Sequence, residues 1–374
     1  MNALTSLAEA VRSILVDAVR WSREIPVPIS QSVAAALGMA VPIAIGVVID
    51  QTGLGMLASL GGLAASGAAG TGTLREQGLL LCSALVSGCA AILVGSTIAG
   101  HGWMTGAPIV LIATIVALVG SLGRTFARSS TVFTIFMIIG TALGVSGVLP
   151  PISVTLVFAV GAIWTVIVSL LASSLFRALG REGLTAGTTV IDQRPAPITL
   201  RRRFRRWFRS LHHLAGWQYT LRIGLCILLS EIIAVLWDQP WSYWIPLVVV
   251  IILQRNIETT LARASQRALG TCAGVIIGSV LLSKFTPIWF LILMVGILAA
   301  VRPILRVRNY TLYTVARTPL IIILLEFGST LSSGVLAYRL VDTAIGFIIV
   351  VVFGYLLWPA LLVRSPMPVT DPGS

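Results

Sequence analysis

Two ionisable residues stand inside stretches that are otherwise almost wholly apolar: Glu231 in LCILLSEIIAVL and Arg317 in YTLYTVARTPLIIILL. At membrane depth such a group costs roughly 2.5–3.5 kcal/mol on insertion scales, so each calls for a partner or a purpose. Arg317 is followed by Thr318 and Pro319, and Pro319, lacking an N–H, leaves a helical bond open beside the guanidinium. The chemistry these types offer is an anion-attracting Arg together with a carboxylate able to exchange a proton. At ~1.5 Å per residue Glu231 lies at most two turns deeper than Arg317, so a purely structural ion pair is the plain alternative. Arg263, Arg267, Arg302, Arg306 and Arg308 gather near the same mouth in the second half of the chain, and Arg75, Arg124 and Arg128 in the first. A funnel lined with one sign of charge concentrates the opposite sign. The expected site is therefore Arg317, Arg263, Arg267 and Arg308 for an anionic substrate, with Glu231 for proton coupling.

The elements that must position these residues are membrane helices. Apolar residues make up 57% of the chain and charged residues only 10%, against about 25% charged in ordinary soluble domains. Apolar runs near the ~20 residues needed to cross a bilayer recur along the chain. They predict an all-α polytopic protein of twelve spans, at 32–49, 53–69, 78–99, 105–122, 132–148, 152–175, 219–237, 241–254, 268–283, 287–301, 310–327 and 340–362. With the N-terminus in the cytoplasm, all 26 basic residues except Lys284 and Arg339 fall in or beside cytoplasmic loops and ends. The positive-inside rule favours that orientation, with both termini cytoplasmic. The net charge of +13 thus reports orientation, not nucleic-acid binding. Trp237, Trp241, Tyr243 and Trp244 cluster at one outer turn and Trp358 at an inner end, where ring and polar tip suit the headgroup level.

The chain repeats its plan. A shift of 188 residues lays Asp50-Gln51 on Asp238-Gln239 and Arg75 on Arg263, and a shift of 180 lays Arg128, Thr131 and Thr134 on Arg308, Thr311 and Thr314. Six spans per repeat is an even number, so residues 32–176 and 217–363 form parallel halves with a substrate route between them. The first half has no counterpart of Arg317 or Glu231, the aligned positions being Met137 and Ile43. Small residues every fourth position (Gly270, Gly274, Gly278 and Ala58, Gly62, Ser66, Gly70) allow close helix packing. Cys82, Cys89, Cys226 and Cys272 read as small packing residues. Residues 1–31 read as an interfacial helix, since charges interrupt any signal-peptide core, and 364–374 as a tail. The linker 177–216 holds Arg201 to Arg209, in which Phe204, Trp207, Phe208 and Leu211 form one apolar stripe between arginines. That pattern suits anionic headgroups on the inner leaflet, at about 1 kcal/mol per basic residue.

Residues 217–363 resemble the fusaric-acid-resistance-like family of membrane proteins. The matching features are Arg222 early in one span, Trp241 and Trp244 at the next, and Arg263-x-x-x-Arg267-x-x-Gly270-Thr271-x-x-Gly274. Asn309-Tyr310, Arg339-Leu340-Val341-Asp342-Thr343-Ala344-Ile345-Gly346 and Leu357-Trp358-Pro359 follow in the family's order. The resemblance implies export of organic, often aromatic, carboxylates across a bacterial inner membrane. The first half matches loosely, and the large cytoplasmic domain of some members is absent.

The chain has no P-loop, no HExxH and no cysteine cluster, and His101, His212 and His213 all lie in loops. These absences argue against an enzyme and imply neither metal nor cofactor. The expected partners are a small organic anion and membrane lipids, with oligomeric state open. A passive anion channel and a non-transporting membrane scaffold are the rival readings.

Overall fold

A computed structural model describes residues 29–68, 74–145, 147–180, 204–205, 207–209, 211–212, 214–237, 243–253, 255, 260–284, 287–326 and 333–358. The expected helix over 1–31 falls almost wholly outside them, as do Arg201–Arg203 and the 364–374 tail. Among the described residues lie α1 (Ile29–Val48), α2 (Thr52–Ala68), α3 (Leu74–Ile98), α4 (Gly106–Val119), α5 (Arg124–Val145) and α6 (Pro151–Ala178). After the linker come α7 (Leu214–Leu236), α8 (Trp244–Ile252), α9 (Thr260–Lys284), α10 (Ile288–Arg308), α11 (Tyr310–Glu326) and α12 (Ser333–Ile349). The last runs into a π-helical turn, Val350–Leu356. This is an all-α, multi-pass membrane protein. Seven of its helices are long and apolar enough to cross a bilayer by length and composition, and α4 and α11 are shorter apolar helices.

Two sequence expectations are corrected. The tenth segment does not stop at Val301: α10 continues through Pro303 to Arg308 because Arg302, which reads as an interfacial charge, finds a hydrogen-bond partner inside the protein. Helix α8 has only nine residues, about 14 Å of helix against a ~30 Å hydrocarbon core. Every one of its residues from Trp244 to Ile252 is buried, so it serves as an internal strut.

The neighbours of each helix form a recurring set. Helix α1 packs on α2 and α6, α2 on α3 and α6, α3 on α5 and α6, and α4 on α5. Six helices on, α7 packs on α8 and α12, α8 on α9 and α12, α9 on α11 and α12, and α10 on α11. The contacts between the two sets are themselves reciprocal: α1 with α10 and α7 with α4, α2 with α11 and α8 with α5.

Small residues and prolines set how closely these helices approach. Pro42 in α1 leaves the Gly38 carbonyl without its helical N–H. Thr165 Oγ1 of α6 donates to that carbonyl at 3.1 Å, and Trp164 Nε1 donates to Leu37 O at 3.2 Å. In α11, Pro319 likewise leaves Val315 O open, and it faces Gly274 of α9. The expected glycine stripe of α9 is spent on this contact: Gly270 meets Thr311 and Thr314, Gly274 meets Val315 and Thr318, and Gly278 meets Pro319 and Ile322. A Cβ at Gly274 would lie 2.6 Å from Thr318 Cβ, which something must yield to relieve. Gly274→Ala is expected to lower stability by about 1–3 kcal/mol, the usual cost of overpacking. A Cβ at Gly78 meets nothing within 4 Å, so Gly78→Ala should leave the thermal midpoint of the purified protein unchanged or slightly raised, alanine being the better helix former. Equal midpoints for both variants would contradict this packing account.

The two exceptions to the charge map lie at the end where α8 and α12 begin. Arg339 is no loop charge but is fully buried, its guanidinium 4.2 Å from the Trp244 ring centroid and Nη2 donating to Tyr243 Oη at 3.3 Å. Trp244 is accordingly not a headgroup anchor: it is 1% exposed, and its Nε1 donates to Thr343 Oγ1 at 3.1 Å. Trp237 is exposed, in keeping with an interfacial position. The side chain of Lys284 lies outside the described residues.

Candidate arginine-lined site

Arg317 sits on the eighth residue of α11 and Arg302 six residues before the end of α10, both roughly two turns from the basic end of the bundle. On α11, Tyr310, Tyr313 and Arg317 recur at intervals of three and four, and on α10 Arg302 and Arg306 are four apart. Such spacings put each set on a single helix face. The two faces, with Arg267 from α9, meet around Tyr313: Arg317, Arg302, Arg306 and Arg267 all lie within electrostatic reach of its phenol. Arg267 stands over the Tyr310 ring, 5.9 Å from its centroid, and the rings of Tyr310 and Tyr313 are 6.1 Å apart. Arg302 is only 4% exposed.

The first six helices complete this site. Arg302 Nη2 donates to Ser66 Oγ, and Arg306 Nη1 donates to Gly67 O at 2.9 Å, so both arginines of α10 grip the end of α2. Ser66 Oγ in turn donates to Gly62 O at 2.7 Å, which fixes its lone pairs toward the guanidinium.

The electrostatic neighbours of Arg302 are Tyr313, Arg317 and Arg306, and those of Arg267 are Tyr310, Arg317 and Tyr313. Among the described residues they are phenols and further cations, with no carboxylate. A buried charge without a counter-charge is unfavourable, so the arrangement is set to gain from an incoming anion. Planar guanidinium groups offer two parallel N–H donors to a carboxylate, and the tyrosine rings supply aromatic surface beside them.

Of the residues anticipated from sequence, Arg317 and Arg267 come together here. Arg308, the last residue of α10, is half-buried, and the side chain of Arg263 lies outside the described residues, as do those of Arg75 and Arg124. Arg128 is exposed. Tyr310, Tyr313 and Ser66 were not anticipated as site residues, although the three-and-four spacing of the tyrosines to Arg317 is visible in the sequence.

Glu231 does not join the cluster. It lies in the last turns of α7, about 25 Å along the helix from Leu214, whereas Arg317 is about 10 Å along α11 from Tyr310. Helix α7 packs on α4, α8 and α12, while α11 packs on α9, α10 and α2. No ion pair links the two residues. Glu231 instead rests on the first residue of α4, where a Cβ on Gly106 would lie 3.4 Å from Oε2. Its Oε1 is buried without a hydrogen-bond partner.

Residues 225–353 match the model of the fusaric acid resistance protein-like family. This fusaric acid resistance-like domain runs from α7 to the π-helical turn and holds Glu231, Arg267, Arg302, Arg306 and Arg317. The resemblance read from the motifs stands for that stretch. The chain is also 30% identical, over 142 residues, to the uncharacterized membrane protein YvaC of Bacillus subtilis (strain 168). That stretch is 37% of this chain but only 22% of YvaC, so the chain spans about a fifth of the relative's length. No solved structure matches the chain.

Proposed function

We propose that this protein is a secondary exporter of small organic anions, aromatic carboxylates foremost, across a bacterial inner membrane, with proton exchange. The observation that carries the reading is the convergence of Arg267, Arg302, Arg306 and Arg317 on Tyr313 with no carboxylate, among the described residues, as an electrostatic neighbour of Arg302 or Arg267. Arg317 and Arg267 bind the carboxylate, Tyr310 and Tyr313 face the ring, and Arg263 and Arg308 gather anions at the mouth. The fusaric acid resistance-like domain supports transport as the activity. Everted membrane vesicles test it. A labelled aromatic acid such as benzoate should accumulate in vesicles containing the protein and not in those lacking it. Patch-clamp recording that instead finds large uncoupled anion currents would replace the transporter with a channel.

Two six-helix halves related by a pseudo-twofold axis along the membrane normal provide the moving parts. The recurring helix neighbours and the reciprocal contacts of α1 with α10 and α7 with α4 support this arrangement. Both α2–α10 hydrogen bonds cross between halves, so rocking of one half on the other opens or closes the arginine site.

Both termini and the linker face the cytoplasm, as the placement of basic residues favours. The linker lies on anionic headgroups. Phe204 and Phe208 are exposed, and Trp207 Nε1 donates to Ser121 Oγ at 2.6 Å, a contact that holds the linker against the end of α4. Reporter fusions at Gly180 and Ser374 are expected to read as cytoplasmic. An external signal from either overturns the orientation.

A further inference from the structure

A second pair of arginines, one fully buried and one half-buried, lies outside the cluster around Tyr313. Arg222 of α7 is fully buried. Its Nε donates to the Gly354 carbonyl, exposed by the π-helical turn, and its guanidinium lies 4.7 Å from the Tyr355 ring centroid. Those two contacts fix the plane of the guanidinium and use only one of its nitrogens. Nη1 and Nη2 are buried and meet no acceptor at full hydrogen-bond geometry, the Tyr355 phenol being a loose side-chain partner. Arg255, just past α8, is arranged in a similar way. Its Nη2 donates to Ala117 O and to Ser130 Oγ, each at 3.1 Å, while its Nε is buried without a partner. Gly120 makes room for this anchor, because any Cβ there would collide with Arg255 Nη2. Tyr219 lies between the two arginines, its ring centroid 4.3 Å from the Arg255 guanidinium and its phenol within electrostatic reach of Arg222.

Among the described residues neither arginine has a carboxylate as a charge neighbour; those neighbours are Tyr355, Cys226 and Tyr219 for Arg222 and Tyr219 for Arg255. Packing alone does not account for such a residue, since an apolar side chain of similar volume fills the space without the desolvation cost. The unused edge of Arg222 is a planar fork of donors, and a fork of that shape matches the two oxygens of one carboxylate. We propose that Arg222 and Arg255, with Tyr219 between them, form a second anion-binding site that takes a carboxylate-sized planar oxyanion. The site shares no arginine with the Arg317 cluster and stands whether or not that cluster binds substrate. Arg267, which lies within electrostatic reach of both Tyr219 and Tyr313, adjoins the two.

The test is the anion dependence of thermal stability, read on the full-length protein in lipid nanodiscs. Formate is titrated at constant ionic strength against a bulky sulfonate buffer anion. A ligand that binds only the folded state raises the melting midpoint saturably. In Arg317→Gln protein, where the first cluster is disabled, formate should still raise the midpoint by several degrees. The double variant Arg317→Gln/Arg222→Met should be flat, whatever its own midpoint without formate. Arg255→Gln, which leaves the Arg222–Gly354 bond intact, should raise the half-saturating formate concentration about tenfold or more. It decides the matter should Arg222→Met fail to insert. A flat Arg317→Gln, an undiminished response in the double variant, or an unchanged half-saturating concentration in Arg255→Gln overturns the site. A parallel titration with benzoate identifies the occupant. A response to both acids marks a subsite open to the transported acid, and a response to formate alone marks a closed pocket for a small resident anion.

Discussion

Replacing Arg317 by glutamine is expected to cut export at sub-saturating substrate about ten- to hundredfold. A hydrogen bond to a charged group contributes about 1.5–3 kcal/mol, and each 1.4 kcal/mol is tenfold in affinity. The variant should insert and express near normally, because the residue removed stands among the like charges of Arg267 and Arg302. Its removal relieves repulsion instead of orphaning a counter-ion. Arg317→Lys should recover only part of the loss, since Lys keeps the charge but not the two-pronged fit to a carboxylate. Quantitative immunoblotting of the membrane fraction alongside efflux separates the two roles. A protein that fails to reach the membrane when Arg317 is replaced would make the residue structural.

The second large effect belongs to Glu231, and it concerns coupling instead of affinity. A half-buried carboxylate whose Oε1 is shut from solvent and lacks a donor is suited to carry a proton. The direct exchange with Arg317 that the sequence leaves open is not built, since the two residues lie at different depths and on helices with different neighbours. The contact of α7 with α4, one of the places where the two sets of six helices meet, is the route proposed for coupling. In the proposed mechanism, a rocking motion there would change the access of water to Glu231 as it opens or closes the arginine site. Glu231→Gln fixes the neutral form. Export should persist down a substrate gradient yet lose its response to an imposed proton gradient. Efflux measured with the gradient imposed and then collapsed checks this, and an unchanged response in Glu231→Gln removes the residue from the coupling step.

What could be read from the chain alone was whatever rests on composition and spacing. The glycine stripe of α9 forces a close helix contact wherever the partner is, and the partner proved to be α11. Arg317 stands out because a lone charge in an apolar run has few structural explanations. The misreadings share one cause: a residue at a helix end looks interfacial whether it meets headgroups or protein. Arg302, Arg339 and Trp244 all read as boundary residues and are all buried, against α2, against Trp244 and against Arg339 in turn. Arg255 offered no signal, since a loop arginine at the basic end is what the orientation rule already expects. Tertiary partners are long-range in sequence. Ser66 and Arg302 are 236 residues apart, and no local pattern announces the meeting of α2 with α10.

The most direct test of organic-anion export is efflux of a panel of aromatic and aliphatic acids from cells with and without the protein. Cells are preloaded with each labelled acid, and loss is followed after transfer to acid-free medium. At least one acid, an aromatic carboxylate by this account, should leave several-fold faster when the protein is present, and the excess should disappear in Arg317→Gln. Identical efflux across the whole panel, with and without the protein, would contradict the account and favour a membrane scaffold that moves no acid at all.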